Sequence, residues 1–102
     1  MFSGTDNQTI TLAQGSSNTA NFRAAHPTAI KGEYFGLALL NAITSQTGCT
    51  GIRVYNGLDS AGNQANVLVG VDINGNDLVN GVLGDRSVKS PPYGGNSNSL
   101  NS

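Results

Sequence analysis

The sequence carries little charge, and this shortage excludes some classes of function. Charged residues make up 11% of the 102 residues, against about 25% in an ordinary soluble domain. The five Lys and Arg residues are too few to form a basic stripe that neutralises a nucleic-acid backbone. We therefore expect no nucleic-acid partner.

Cysteine and long apolar runs are also scarce. One cysteine cannot form an internal disulfide, and one cysteine with one histidine cannot form a zinc site of Cys and His ligands. No apolar run approaches the roughly 20 residues of a membrane-spanning helix. The first residues lack the basic and apolar regions of a signal peptide. The sequence predicts a cytoplasmic protein with no membrane partner, and it leaves non-classical export open.

Small polar residues take the place of charge, since Gly, Asn, Ser and Thr make up 45 of the 102 residues. Their distribution predicts an N-terminal tail over residues 1–10, a single α+β domain over 11–84 and a tail rich in Gly, Asn, Ser and Pro over 85–102. The last segment has too few apolar residues to fold alone, so it is expected to be extended or disordered unless a partner orders it.

Two helices are expected in the first half of the domain. Thr11 and Gln14 have the spacing of a capping box, and Pro27 ends the segment that follows. The second helix is predicted from Gly32 through the apolar run that ends at Ile43, with Gly48 as a residue of positive φ beyond its end.

The second half of the domain changes to the alternation of β-strands. Strands are expected over 51–57 and 66–73, and a third is expected near 77–82 after the Asn74-Gly75 turn, which has a type I′ signature. The predicted architecture is two helices on one face of a small antiparallel sheet. Its core is expected to contain Leu39, Ile43, Val54 and Val69.

The opposite sheet face is expected to lack a cover. If Ile52 and Val54 lie under the helices together with Val67, Val69 and Val71, the outer face presents four residues: Arg53, Tyr55, Leu68 and Gly70. An apolar patch of this kind commonly marks an association site. The segment Pro91, Pro92 and Tyr93 in the tail is expected to add a second contact. The valine-rich strands contain no Lys or Pro, so the sheet edges are also expected to lack the usual protection. The sequence thus predicts a non-enzymatic structural protein that associates with copies of itself through a sheet edge, the outer sheet face and the tail, as a closed oligomer or a filament.

The alternative is a small module that binds a ligand or Ca²⁺, or serves as an adaptor, through the turn from Asp72 to Asp77. Residues 72–77 begin like an EF-hand loop, with oxygen-bearing side chains at positions 1, 3 and 5, and the loop 59–64 is expected to face them. Asp77 stands where the loop needs Gly, and Leu83 stands where it needs Glu. At most weak Ca²⁺ binding is therefore expected, and the simpler interpretation is a hairpin turn flanked by Asx residues.

The sequence offers little for catalysis. His26 and Cys49 are the one conventional pair of base and nucleophile, but His26 precedes a proline at a helix end, and Cys49 enters a strand as a small buried residue would. No glycine-rich nucleotide motif occurs. We expect no enzymatic activity, no cofactor, no metal site and no catalytic residue.

Several segments together resemble a group of small uncharacterised bacterial proteins. The similarity spans most of residues 11–93, and the stretches that carry it are 19–27, 29–36, 48–55, 69–72 and 75–77. Those proteins end in a similar short tail that contains proline. The resemblance implies a bacterial, single-domain, non-secreted protein, and it supplies no site residues.

Overall fold

The chain forms two helices and five strands within residues 1–101, the part that the computed structural model describes. The elements are α1 (Leu12–Ala25), β1 (Gly32–Tyr34), α2 (Leu37–Thr44), β2 (Gly51–Tyr55), β3 (Val67–Val71), β4 (Leu83–Gly84) and β5 (Val88–Ser90). One antiparallel sheet has the order β2-β3-β4, and β1 pairs with β5 in a second. The predicted α+β class is confirmed.

The residues group into two compact units, whereas the sequence predicted one domain over 11–84. Unit 1 consists of Met1–Asn7 and Phe35–Ser87, and it contains α2 and the three-stranded sheet. Unit 2 consists of Gln8–Tyr34 and the chain from Val88 onward, and it contains α1, β1 and β5. The predicted tail over 85–102 thus contributes a strand, because β5 pairs with a strand that is distant in the sequence.

Helix α1 begins and ends where local signals place its limits. The Gln14 backbone amide donates to Thr11 Oγ1 at 3.1 Å, and Gln14 Oε1 accepts from the Thr11 amide at 2.9 Å, which completes the capping box. The helix ends at Ala25, two residues before Pro27. None of its residues is buried. The limits of α1 are therefore set by its capping interactions more than by burial of its side chains.

Helix α2 is shorter than its apolar run suggested. The residues predicted as its first turn form β1 instead, and they pair with β5 in the register Gly32↔Ser90 and Glu33↔Lys89. An ion pair of 2.8 Å between Lys89 Nζ and Glu33 Oε1 holds this pair of strands together. Gly48 has a φ of +80°, as expected, but it lies in the turn that follows the helix.

The three-stranded sheet has a register that differs from the predicted one. Ile52 is opposite Gly70, Arg53 is opposite Val69, and Val54 is opposite Leu68. Residues opposite each other share a face, so Arg53 and Tyr55 lie with the valines of β3, and not with Leu68 and Gly70. The predicted division of faces was wrong because a shift of one residue moves every side chain of a strand to the other face.

The face that carries Leu68 and Gly70 lies toward α2. A side-chain carbon at Gly70 would be 3.1 Å from Cys49 Sγ and from Gln46 Nε2, just beyond the helix. Leu39 of α2 lies over Gly84, which pairs with Leu68. Leu68 is only 4% exposed, and Gly70 is buried, so neither belongs to an open patch.

The opposite face is partly covered by the N-terminal segment, which had been expected to be a loose tail. The Phe2 ring lies 5.6 Å from the Arg53 guanidinium and is in close contact with Gly75. Thr50 Oγ1 donates to the Phe2 carbonyl oxygen at 2.6 Å. Phe2 thus brings residues 1–7 onto the side of the sheet that carries Arg53.

Burial is concentrated in α2 and β3. Within residues 1–101 the buried apolar residues are Ile43, Leu68, Val69 and Val71, all of unit 1. Ile43 and Val69 were expected in this core. Leu39 is only half-buried, and Val54 is 55% exposed because it stands on the outermost strand of the sheet.

Two turns on either side of β3 have the same geometry. In each, an aspartate Oδ1 accepts from the backbone amides two and four residues later: Asp59 from Ala61 and Asn63, and Asp72 from Asn74 and Asn76, all at 2.9–3.0 Å. The glycine at the fourth position has a φ near +85° in both. Asn74 has no positive φ, so the predicted type I′ turn is wrong. The third strand then forms at Leu83–Gly84, with only an isolated bridge at Asp77.

Candidate functional site

Two of the residues predicted for self-association contact the turn 72–77 through their side chains. They are Arg53 and Tyr55, and both bind Asp77. Arg53 and Tyr55 share a face of β2, and Asp77 is opposite Val71 on the far side of β3. The Arg53 guanidinium donates to Asp77 Oδ1 at 2.6 Å and to the Gly75 carbonyl at 3.0 Å. The Tyr55 hydroxyl donates to the other carboxylate oxygen, Asp77 Oδ2.

The electrostatics of this cluster favour its ionised form. The hydrogen bond from Tyr55 lowers the pKa of Asp77 below its ordinary value, desolvation opposes this effect, and the Arg53 guanidinium lowers the pKa further. The hydrogen bond to Asp77 raises the pKa of Arg53 in turn. Both carboxylate oxygens of Asp77 accept a hydrogen bond, one from Arg53 and one from Tyr55. The cluster therefore cross-links the sheet, and Asp77 is not available as a base.

The turn residues do not present a set of Ca²⁺ ligands. Asp72 Oδ1 already accepts two backbone amides, and Asp77 holds Arg53 and Tyr55. Asp59, on the loop that was expected to face them, is occupied in the same way as Asp72. Within residues 1–101 no three His, Cys, Asp or Glu side chains come together as a metal site. The geometry corresponds to the hairpin interpretation of residues 72–77.

His26 and Cys49 each have a local role. The His26 ring lies 4.8 Å from the Phe22 ring at the end of α1, in unit 2. Cys49 belongs to unit 1, where its half-buried thiol donates to the Gly51 carbonyl at 3.3 Å. Within residues 1–101, neither side chain is hydrogen-bonded to an acid that could orient it, as a nucleophile and its base require.

The residues predicted for self-association divide into three groups. Arg53 and Tyr55 lie together on β2, and Tyr55 is exposed. Leu68 and Gly70 are buried on the opposite face, which corrects their assignment to the contact surface. The segment Pro91, Pro92 and Tyr93 belongs to unit 2 and is exposed.

The sequence led us to expect sheet edges without protection, and the outer edge of β2 is such an edge. β2 is the first strand in the order β2-β3-β4, so its second edge has no partner strand within residues 1–101. Val54 is exposed on this strand, although it was expected in the core. The turn at Asp59 sets the register of the hairpin, and this register is the signal that would have identified the outer edge of β2.

No protein-family model, curated protein or solved structure matches this chain. The resemblance to small bacterial proteins therefore stays a prediction. Among residues 1–101, neither helix has both the length and the apolar character needed to cross a membrane.

The candidate functional site is the β2 edge with Arg53, Val54 and Tyr55. It is identified from the geometry of the sheet.

Proposed function

We propose that this chain is a non-enzymatic structural protein that associates with a second copy of itself through the open edge of β2. The observation that carries the proposal is an edge strand of five residues without the usual protection. Natural sheet edges are protected by lysine, proline, bulges or very short strands, because unpaired backbone groups attract another strand. β2 contains neither lysine nor proline, and Asp77 neutralises its one charge, Arg53.

The other strand edges are better protected. β4 has two residues, so it offers few backbone groups for pairing. In unit 2, β1 and β5 have three residues each, both carry a charged residue at the centre, and Pro91 follows β5 directly. Among these strands β2 therefore presents the longest edge with the least protection.

The β2 sequence also complements itself. If two β2 strands pair antiparallel about a two-fold axis at Arg53, Ile52 of each copy lies beside Val54 of the other on the α2 face. Cross-strand pairs of this kind contribute about 0.2–1 kcal/mol each. The arginines meet on the other face, where each is already paired with its own Asp77 at 2.6 Å. The net charge of −1 adds little repulsion between copies.

This pairing closes on itself. Each chain uses its β2 edge once, so the contact is isologous and gives a dimer with a continuous six-stranded sheet. A filament would need a second edge of similar length, which β4 does not offer. Of the two forms that the sequence left open, we therefore propose the closed dimer. We also propose a cytoplasmic location, which is compatible with a chain that has a single cysteine.

The test is the mass of the full chain in solution over about a hundredfold range of concentration, since association responds to dilution by mass action. Light scattering after size exclusion is expected to show a dimer that dissociates on dilution. Val54→Lys adds a protective charge to the edge and is expected to give a monomer at every concentration. Ile73→Lys is the matched control, because Ile73 is also exposed in unit 1 but lies in a turn.

Two results would contradict the proposal. One is a wild-type chain that stays monomeric at the highest concentration. The other is a dimer that Val54→Lys leaves intact, since the contact would then lie away from the β2 edge. The amide spectrum of each variant verifies that the fold is retained, which is expected because both side chains are exposed.

A further inference from the structure

Unit 2 contains a groove that the proposed association does not use. It has a volume of about 770 Å³ and lies between β1, the Pro91-Pro92 segment and residues 94–101. All its lining residues belong to unit 2, so it is defined without reference to the β2 edge. Small-molecule sites commonly have volumes of about 300–1,000 Å³. The groove is therefore large enough for a ligand of one or two sugar rings.

The charges of the groove favour a neutral ligand. Its lining includes one cation, Lys31, and one anion, Glu33. Lys31 Nζ donates to the Asn101 carbonyl at 2.8 Å, and Glu33 is paired with Lys89 at 2.8 Å. An anionic ligand such as a phosphate usually needs several cationic or amide donors that converge on it. The single lysine, already bonded, does not form such a cluster.

The polar groups of the groove are held in fixed orientations. The Glu33 side chain is 5% exposed, and its ion pair with Lys89 sets the direction of the carboxylate. Asn98 Oδ1 accepts from the Leu100 amide at 2.8 Å, and Asn101 Oδ1 accepts from the Asn98 amide at 2.8 Å. Fixed carboxylate and amide groups lose little entropy when a ligand binds, and they suit a ligand with many hydroxyl groups.

One aromatic ring adds an apolar surface to these polar groups. Tyr34 lines the groove and is well exposed, so its ring is available for contact. A pyranose has a face of C–H groups and a rim of hydroxyl groups. It therefore combines an apolar contact with an aromatic ring and hydrogen bonds to groups such as Glu33 and Asn98.

We propose that this groove binds a neutral saccharide, with a pyranose ring stacked on Tyr34 and its hydroxyl groups bonded to Glu33 and Asn98. Tyr34 is the residue on which affinity depends most, because it supplies the exposed aromatic surface of the groove. Binding would also hold β1 close to residues 94–101, since among residues 8–34 and 88–101 no apolar side chain is buried.

The experiment titrates the full ¹⁵N-labelled chain with glucose, galactose, N-acetylglucosamine and maltose, and follows the amide signals. At least one sugar is expected to give saturable shifts confined to residues of the groove. Tyr34→Ala is expected to weaken binding about tenfold, whereas Tyr34→Phe keeps the ring and the affinity. Tyr93→Ala is the matched control, because Tyr93 is equally exposed in unit 2 but does not line the groove.

The proposal is overturned if none of the four sugars gives saturable shifts. It is also overturned if Tyr34→Ala binds as well as the wild type, or if inorganic phosphate or glucuronate binds more tightly than every neutral sugar. Tyr34 is exposed, so its variants are expected to fold, and their amide spectra verify this. Val54→Lys is expected to bind sugar normally, which separates this result from the result on association.

Discussion

Replacement of Ile43 by alanine tests the core of unit 1 directly. Ile43 is fully buried, and it is the one α2 residue among the four buried apolar residues of positions 1–101. Replacing a buried Leu or Ile by Ala costs about 2–5 kcal/mol, whereas Ile→Val costs about 0.5–1.5 kcal/mol. Small domains have a total stability of about 5–15 kcal/mol. Ile43→Ala is therefore expected to remove a large part of the free energy of unfolding.

Urea unfolding, followed by the amide signals of β3 at a fixed protein concentration, measures this loss. A loss of about 3 kcal/mol corresponds to a midpoint lower by roughly 2 M urea for a domain of this size. Leu37→Ala is the control in the same helix, since Leu37 is 73% exposed and its truncation is expected to cost less than about 0.5 kcal/mol. Equal midpoints for the two variants would refute this description of the core.

Two further predictions concern the turn 72–77. The pKa of Asp77 is lower in the folded chain, so its contribution to stability is present above the unfolded pKa and is lost as the pH falls through the folded pKa. Asp77→Asn is expected to reduce the loss of stability below about pH 4, measured by urea midpoints at several pH values; an unchanged pH profile would contradict this. Calcium at micromolar concentrations is expected to leave the amide signals of residues 59–64 and 72–77 unshifted, because the aspartates of these turns already accept hydrogen bonds from other groups. Saturable shifts in these residues would instead show a calcium site.

The parts of the fold that depend on adjacent residues could be predicted from the sequence. Thr11, Gln14 and Pro27 define α1 because each acts within one turn of the helix. The start of α2 could not be predicted in this way. Gly32–Tyr34 forms a strand because it pairs with β5, and Glu33 and Lys89 are 56 residues apart in the sequence. Local preference contains no information about such a partner.

The faces of the sheet were assigned incorrectly for a different reason. Alternation gives the period of a strand but does not say which residues of two strands are opposite each other. β3 is apolar at nearly every position and its last four residues are buried, so its own pattern does not distinguish two faces. Leu68 was consequently placed on the outer face, although it is buried on the face toward α2.

The turns contain the information that the strands lack. The segments 57–65 and 70–78 both begin with Gly, an aliphatic residue and Asp, and both continue with Gly-Asn at the same spacing, thirteen residues apart. In each, the amide of the last residue donates to the carbonyl of the first at 2.8 Å. The first turn sets the bridge Leu58↔Gln64, and the same register continues without a shift to Gly51↔Val71.

The repeat also explains why β2 is the edge strand. One copy of the turn precedes β3 and one follows it, so the chain folds back on β3 from both sides and β3 becomes the central strand. In the described part of the chain, β2 is adjacent to only one copy and pairs with a strand on one side alone. The two turns together therefore determine which strand is buried on both faces and which keeps unpaired backbone groups. The open edge proposed for association is thus a consequence of a repeated local motif and its position along the chain.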